Sequence, residues 1–198
     1  MSAPGWPAVL VEGPVRLRPL RRRDQEAWMA LREQNASWLA PWDATSPEPV
    51  LGPRPTFAAF VRTLSAQARS GVALPFAVDY EGALVGQLTV SSITYGSLRS
   101  AAIGYWVSEH VAGRGITPTG VALATDHCFG VLRLHRVEIN IRPENAPSLR
   151  VVEKLGFRDE GLRERYLHIQ DRWCDHRSFA LTVEEVPEGL LARWRARR

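Results

Sequence analysis

Residues 103–118 read IGYWVSEHVAGRGITP, and this is the most informative stretch of the sequence. An alternating apolar segment is followed by a short loop that contains Gly113 and Gly115. Glycines let the backbone turn tightly and approach a ligand closely, so consecutive N–H groups can converge on one anion. Thr117 can cap the helix that follows, and Pro118 suits its first position. The pattern therefore predicts a strand, an anion-binding loop and a helix whose positive end faces the anion.

The loop does not match the common phosphate-binding signatures. The dinucleotide fingerprint requires a third glycine where this chain has Pro118, and no Walker lysine follows. A second stretch, residues 142–157, reads RPENAPSLRVVEKLGF. It predicts a helix from about Ala146 to Leu155 that is closed by Gly156.

Taken together, the two stretches resemble the acetyl-CoA motifs of the GNAT acetyltransferase superfamily. These motifs are a (Gln/Arg)-x-x-Gly-x-(Gly/Ala) loop, then Asn-x-x-Ser, then Glu-Lys-Leu-Gly-Phe, and His110 stands where the loop usually has Gln or Arg. The resemblance covers about Val15 to Val183. It implies an α/β (α+β) fold: a central mixed, mostly antiparallel seven-stranded sheet, splayed at the cofactor site and flanked by about four helices.

The resemblance further implies acetyl-CoA as cosubstrate and no metal. Trp106 and Val107 would offer backbone groups to the pantetheine, and Asn145 would bind the cofactor's arm. Alternatively, the two loop glycines only shape a turn and Asn145 only caps a helix. The cofactor-binding residues implied by the resemblance are Trp106, Val107, His110, Gly113, Arg114, Gly115, Ile116, Thr117, Asn145 and Ser148.

Catalysis in this family is direct attack of a neutral amine on the thioester. Ser148 matches the family serine near the sulfur and would act on the departing thiolate; alternatively, it only caps a helix. Glu138 shares a strand face with Asn140 and is our candidate base. Its rivals are Glu109, Glu164, Tyr166 and His168.

Residues 38–42, which read WLAPW, together with Trp173 and the Asp175-His176 pair, further resemble the RimJ/RimL branch. With the prolines between Pro41 and Pro55, this segment predicts an ordered aromatic loop on the acceptor side. We expect the acceptor to contact Trp38, Trp42 and Tyr166. The alternative is that the tryptophans are a satellite of the core.

Elsewhere the chain alternates between strand and helix patterns. We predict a first strand over 15–20, a helix capped by Asp24, a helix beginning near Thr56 and a hairpin at Glu81-Gly82. A strand over 135–142 and a closing antiparallel pair, with its turn at Asp171-Arg172, complete the order.

Composition predicts one domain over residues 1–198, with a core of about 15–183 and a basic C-terminal tail over 187–198. No apolar run approaches the roughly 20 residues that span a bilayer. The start at Met1 lacks the features of a secretory signal, so we expect a cytoplasmic protein without a membrane partner. Cys128 and Cys174 form no CxxC pair, which argues against a zinc site and favours apolar filling; the alternative is an acyl-carrying nucleophile.

The net charge of +4 leaves several partners open. Basic clusters at 16–23 and 193–198 suit an anionic cofactor or association with the ribosome, or are only a solvated face. We expect acetylation of a protein N-terminus, by a monomer or homodimer. The alternatives are a small-molecule amine acetyltransferase, for an antibiotic or polyamine, and a catalytically silent ribosome- or RNA-associated binding protein.

Overall fold

The structure is a computed structural model that describes residues 5–48 and 55–197. Residues 1–4, 49–54 and 198 lie outside the described ranges. The start at Met1, part of the proline-containing stretch before Pro55 and Arg198 of the C-terminal basic cluster are therefore outside the description.

The described residues contain one eight-stranded sheet. The strands are β1 (Leu10–Glu12), β2 (Val15–Pro19), β3 (Leu74–Tyr80), β4 (Ala83–Thr94), β5 (Ser100–Val107), β6 (Arg136–Ile141), β7 (Arg158–Ile169) and β8 (Arg172–Thr182). Their order is β1-β2-β3-β4-β5-β6-β8-β7, and only β5 and β6 run parallel. The mixed, mostly antiparallel sheet is confirmed.

The expected seven strands are one too few. The additional strand is β1, which pairs with β2 from Leu10 opposite Leu17 to Glu12 opposite Val15. Three residues are too short a segment for alternation to be recognised. The hairpin at Glu81-Gly82 and the closing pair of β7 and β8 are confirmed. The second turn is at Gln170 and Asp171, one residue earlier than predicted, because Arg172 already begins β8.

Six α-helices occur in the described ranges, where about four were expected. They are α1 (Gln25–Gln34), α2 (Ala36–Leu39), α3 (Phe57–Ser70), α4 (Ile116–Gly130), α5 (Ala146–Leu155) and α6 (Leu190–Ala196). The bounds of α5 and the cap of α3 by Thr56 agree with the prediction. The two extra helices are the short ones, α2 and α6.

Helix α6 corrects the expectation of a basic tail. Leu190 and Trp194 lie one turn apart on its buried face, and Trp194 is only 6% exposed. The Asp126 carboxylate of α4 accepts hydrogen bonds from the Leu190 and Leu191 amides at 2.6 and 3.0 Å. Asp126 thus caps a helix that follows Gly189, which has no side chain with which to cap it.

Two predicted caps are also wrong in detail. Helix α4 begins at Ile116 with Gly115 as its N-cap, so Thr117 and Pro118 lie inside the first turn. Asp24 precedes α1 but accepts no hydrogen bond from that helix. Its carboxylate is instead paired with the buried Arg18 guanidinium at 2.7 Å, and this pairing lowers the pKa of Asp24 against the effect of burial, which raises it.

The sheet separates two hydrophobic clusters. On one face, Phe76 and Val78 belong to the large cluster that includes residues of α4, α5 and α6. On the other face, Ala77 packs with Phe57 and Val61 of α3. Successive residues of β3 therefore point to opposite layers, as the period of a strand requires.

The parallel pair β5 and β6 opens along its length. Ser100, Ala101 and Ala102 pair with Arg136, Val137 and Glu138, and the pairing then stops. The remaining residues of both strands, 103–107 and 139–141, are not paired with each other. Because the strands are parallel, the loops after both strands leave from the same edge of the sheet. The predicted splay is confirmed.

Candidate active site

A cavity of about 470 Å³ lies where β5 and β6 separate. The loop and first turn of α4 form one side, the first turn of α5 forms a second, and the segment around α2 forms a third. Its lining residues are Ser37, Trp38, Leu39, Pro41, Trp42, Asp43, Tyr105, Trp106, Val107, Val111, Ala112, Gly113, Gly115, Ile116, Thr117, Pro118, Asn145, Pro147, Ser148, Arg150, Val151 and Lys154.

The loop before α4 presents backbone to this cavity. Gly113 and Gly115 have φ angles of 82° and 80°, in the left-handed region that glycine adopts without strain. A Cβ at Gly113 would contact nothing within 4 Å, and one at Gly115 would lie at 3.6 Å from the Trp194 ring. The backbone conformation, rather than crowding, therefore calls for glycine. The first amides of α4 have no partner within their helix, so they suit an anion.

The first turn of α5 holds Ser148 at the cavity. Asn145 is the N-cap, and its Oδ1 accepts a hydrogen bond from the Ser148 amide at 3.1 Å. The capping role therefore falls to the Asn145 side chain, and Ser148 contributes its backbone amide. The Ser148 hydroxyl is left for other partners. One and two turns from the helix start, Arg150 and Lys154 line the same cavity with positive charge.

The aromatic segment bridges the two separated strands. The Trp38 indole N–H donates a hydrogen bond to the Val107 carbonyl at the end of β5, at 3.2 Å. The Arg142 guanidinium, which follows β6, donates to the Pro41 carbonyl at 2.8 Å and lies 5.6 Å from the Trp42 ring centroid. The segment predicted as a loop is partly helical, because Trp38 lies in α2. Contacts on both sides hold it in place.

A buried amide anchors the end of β5 to α1. The Asn35 side chain donates to the Leu31 carbonyl and to the Ser108 hydroxyl, both at 2.8 Å. Its Oδ1 accepts a hydrogen bond from the Glu109 amide at 2.8 Å. Asn35 is 4% exposed, so the cost of its burial is offset by three hydrogen bonds. This anchor fixes the chain where it enters the glycine loop.

A tyrosine hydroxyl lies buried beside the cavity. Tyr105 lines the cavity, and its hydroxyl oxygen is buried and has no hydrogen-bond partner among the described residues. Burial raises the pKa of Tyr105 above its ordinary value, and the nearby Ser148 hydroxyl opposes that change. The phenol therefore stays protonated near neutral pH and can act only as a neutral hydrogen-bonding group.

The strand, glycine loop and capped helix recur in a known protein family. Residues 15–158 match the model of the acetyltransferase (GNAT) domain, which is more than half of the 198 residues. This chain belongs to the GNAT acetyltransferase family. Family membership identifies it as an acetyl-CoA-dependent N-acetyltransferase.

Several known GNAT proteins resemble the chain over most of its length. The structure of RimJ from Mycobacterium smegmatis in complex with CoA-disulfide shares 41% sequence identity and a TM-score of 0.89, over 99% of this chain and 97% of that one. The ribosomal protein uS5-alanine N-acetyltransferase of Escherichia coli (strain K12) is 26% identical over 170 residues, 84% of this chain and 87% of that protein. The resemblance to the RimJ/RimL branch is confirmed.

A third relative matches a shorter part. The probable N-acetyltransferase YjcK of Bacillus subtilis (strain 168) is 38% identical over 98 residues. The match spans 50% of this chain and 54% of that relative.

Most of the residues expected to bind the GNAT cofactor lie at the cavity, and two do not. Arg114 is exposed, so its side chain does not line the cavity, although its backbone belongs to the glycine loop. His110 is exposed as well, and its Nδ1 lies 2.8 Å from the Ser108 hydroxyl. The remaining expected residues, which line the cavity, are Trp106, Val107, Gly113, Gly115, Ile116, Thr117, Asn145 and Ser148.

The structure does not bring the candidate base to the cavity. Glu138 is paired through its two oxygens with Arg136, at 2.9 Å, and Arg163, at 2.8 Å. Both carboxylate oxygens are thus occupied by guanidiniums, and Glu138 is not among the residues that line the cavity. We therefore do not retain Glu138 as the base.

The other candidate bases do not line the cavity, and neither does Tyr166, which was expected to contact the acceptor. Glu109 and Glu164 are exposed, and His168 Nδ1 lies 2.8 Å from the Thr45 hydroxyl. Tyr166 does not line the cavity; its hydroxyl accepts a hydrogen bond from Asn140 at 3.4 Å. Trp38 and Trp42, by contrast, do line it.

The sequence analysis missed Tyr105, Arg150 and Lys154. Tyr105 shares its strand parity with Val107, and Arg150 and Lys154 are four residues apart on one helix face. These spacings could have identified all three. Asn35 and Arg142, which hold the end of β5 and the aromatic segment in place, gave no such signal, because their partners are distant in sequence.

The cysteines contribute no accessible thiol. Both are buried, and burial raises the pKa of Cys128 to about 12. Within residues 5–48 and 55–197, no cluster of His, Cys, Asp and Glu side chains is arranged to hold a metal ion. None of the described helices has the length and apolar character needed to traverse a membrane.

Proposed function

We propose that this enzyme acetylates the N-terminal α-amine of a protein, with acetyl-CoA as the donor. The observation that carries the proposal is the single cavity that joins the glycine loop, Ser148 and the rigid aromatic segment. The similarity to the ribosomal protein uS5-alanine N-acetyltransferase of Escherichia coli, over 84% of this chain, supports a protein acceptor.

The residues present fit acetyl-CoA. Unpartnered amides at the start of α4 suit the pyrophosphate, and Arg150 and Lys154 supply positive charge beside it. The unpaired part of β5 offers backbone groups to an extended pantetheine arm. The Val107 carbonyl accepts a hydrogen bond from the Trp38 indole N–H and keeps a second lone pair for a ligand. Acetyl-CoA supplies the activated acetyl group as a thioester.

The reaction needs no protein nucleophile, and both cysteines are buried. The neutral amine forms an N–C bond to the thioester carbonyl and the C–S bond breaks. The amine loses one proton and the departing sulfur gains one, so the charges balance. Ser148 is placed on the first turn of α5 to donate a hydrogen bond to that sulfur.

The charge of the cavity favours a peptide amine over a polyamine. Among the described lining residues, Asp43 is the only carboxylate, and it is hydrogen-bonded by Arg32. A polycation would need several acidic partners to replace its hydration. An α-amine with a pKa near 8 is roughly 10% neutral at pH 7, whereas a lysine near 10.4 lies about 4.6 kcal/mol from its neutral form. An α-amine can therefore react with little help from a base.

A panel of acceptors tests the proposal. We expect release of coenzyme A with unblocked peptides, but not with N-terminally blocked peptides that contain lysine. Spermidine and an aminoglycoside are the comparison amines. Turnover of spermidine or the aminoglycoside above that of every unblocked peptide would reject the peptide acceptor. Comparison of protein N-termini by mass spectrometry, in cells with and without the enzyme, would then identify the target. Association with the ribosome and the oligomeric state stay predictions.

A further inference from the structure

The buried hydroxyl of Tyr105 has no role in holding the fold together. It makes no hydrogen bond to any described residue, although its oxygen is buried. A buried polar group without a partner destabilises the folded state, and phenylalanine would fill the same space without that cost. The hydroxyl therefore calls for a partner on the side of the cavity that Tyr105 lines.

The Tyr105 side chain lies in the cavity that Ser148 also lines. Tyr105 is fixed on β5 opposite Leu88, and Ser148 is fixed on α5 by the cap at Asn145. Both side chains line the same cavity. Burial raises the pKa of Tyr105, and the Ser148 hydroxyl is close enough to oppose that rise. The phenol is thus a proton-bearing neighbour of the serine that faces the donor.

We propose that Tyr105 is a positioning residue that, once acetyl-CoA is bound, donates its phenol hydrogen to Ser148 Oγ and so directs the serine hydrogen toward the sulfur. This inference rests on the proposed acetyl transfer but not on the identity of the acceptor. The tyrosine gives up no proton in the step: the amine's proton ends on the sulfur, and the two hydroxyls only redirect their hydrogens. A hydroxyl that receives a hydrogen bond becomes a better donor itself.

A double-mutant cycle tests the coupling. We expect Tyr105→Phe to lower kcat by roughly 10- to 100-fold, with the KM of acetyl-CoA changed by less than about twofold. In a Ser148→Ala background, Tyr105→Phe should change kcat by less than about twofold, since the group it positions is gone. Tyr80→Phe, a half-buried tyrosine of β3 outside the cavity lining, is the matched control and should leave kcat unchanged.

Two readouts do not depend on turnover. The melting temperature of Tyr105→Phe should equal or exceed that of the wild type, because an unsatisfied hydroxyl has been removed. Calorimetry should show that this variant loses affinity for coenzyme A relative to desulfo-coenzyme A, which lacks the sulfur. In Ser148→Ala, the ratio of the affinity for coenzyme A to that for desulfo-coenzyme A should fall by the same factor. In the double variant this ratio should fall no further.

Three results would overturn the positioning role. They are wild-type kcat in Tyr105→Phe, full and independent losses in the double variant, and a lowered melting temperature with an unchanged preference for coenzyme A over desulfo-coenzyme A. Failure of the acceptor proposal is distinguishable, because it appears as turnover by the wild type of small amines instead of peptides. In that case the double-mutant cycle of Tyr105 and Ser148 is measured with the small amine as acceptor, and it still tests whether Tyr105 acts through Ser148.

Discussion

The Trp194 indole N–H donates a hydrogen bond to the Thr119 hydroxyl at 2.9 Å, and that hydroxyl donates in turn to the Gly115 carbonyl at 2.8 Å. Helix α6 thereby supports the glycine loop that precedes α4, through a residue that does not itself line the cavity. Trp194 lies beyond residues 15–158, the part that matches the family model. A segment expected to be a basic tail therefore contacts the start of α4 and the glycine loop before it.

Trp194→Phe should weaken this support while keeping an aromatic ring in place. We expect the affinity for acetyl-CoA to fall by up to roughly tenfold and the free energy of unfolding by about 1 kcal/mol, the net value of one hydrogen bond. Calorimetry and urea unfolding measure the two effects. Trp173→Phe, at a side chain 55% exposed, is the control. Equal affinities in both variants would contradict the role of α6.

Gly115→Val should impair binding of acetyl-CoA. A branched side chain at φ 80° is strained, and its Cβ would lie 3.6 Å from the Trp194 ring, so the glycine loop must shift to relieve the strain. We expect affinity by calorimetry to drop by more than roughly tenfold, because a shifted loop no longer directs its amides at the pyrophosphate. Gly96→Val carries similar strain at φ 71° in the loop before β5, away from the cavity. If the two variants bind acetyl-CoA equally well, the glycine loop does not hold it.

Ser148→Ala should lower kcat by roughly 10- to 10⁴-fold with little change in the affinity for acetyl-CoA. The helix cap is retained, because Asn145 binds the Ser148 amide rather than its hydroxyl. Steady-state kinetics separate the two parameters. Ser37→Ala, on the α2 side of the same cavity, serves as control. Wild-type turnover in Ser148→Ala would leave the serine with no part in catalysis.

Replacement of Trp38 and Trp42 with alanine should raise the KM of the peptide far more than that of acetyl-CoA. Rigid aromatic side chains can hold an extended peptide at little entropic cost. Loss of a core tryptophan can cost about 3 to 5 kcal/mol, so unfolding must be measured alongside. Since Trp38 also bonds to Val107, Trp38→Phe separates the hydrogen bond from the ring. Equal losses for peptides and small amines in a folded variant would exclude a peptide-selecting surface.

Acidification should destabilise the protein through two buried histidines. Burial lowers the pKa of His127 and of His176 below the ordinary value. The unfolded chain therefore binds protons first, and stability is lost as pH falls from about 6.5 toward the folded pKa values. Each imidazole contributes at most about 1.4 kcal/mol per pH unit in that window. Urea unfolding between pH 7.5 and 5.5 should show a smaller decline in His127→Gln; an identical decline would exclude this histidine.

Local features of the fold were predictable from the sequence. The bounds of α5, the cap of α3 by Thr56 and the hairpin at Glu81-Gly82 each depend on a few neighbouring residues. Short elements were not predictable. Helix α2 has four residues and α6 has seven, so each depends on contacts from other elements instead of its own periodicity.

The family and the local backbone around the glycine loop could be inferred from the sequence alone, because glycine conformations and helix caps depend on residues that are close in the chain. The sequence placed Gly115, Asn145 and Ser148 at the cavity. The tertiary structure was needed to show which segment completes that cavity and that Glu138 lies outside its lining. The contact of Arg142 with Pro41 joins residues 101 positions apart, and Glu138 is held by guanidiniums from two strands. Such contacts follow from the packing of side chains across the sheet, which leaves no periodic pattern in the sequence.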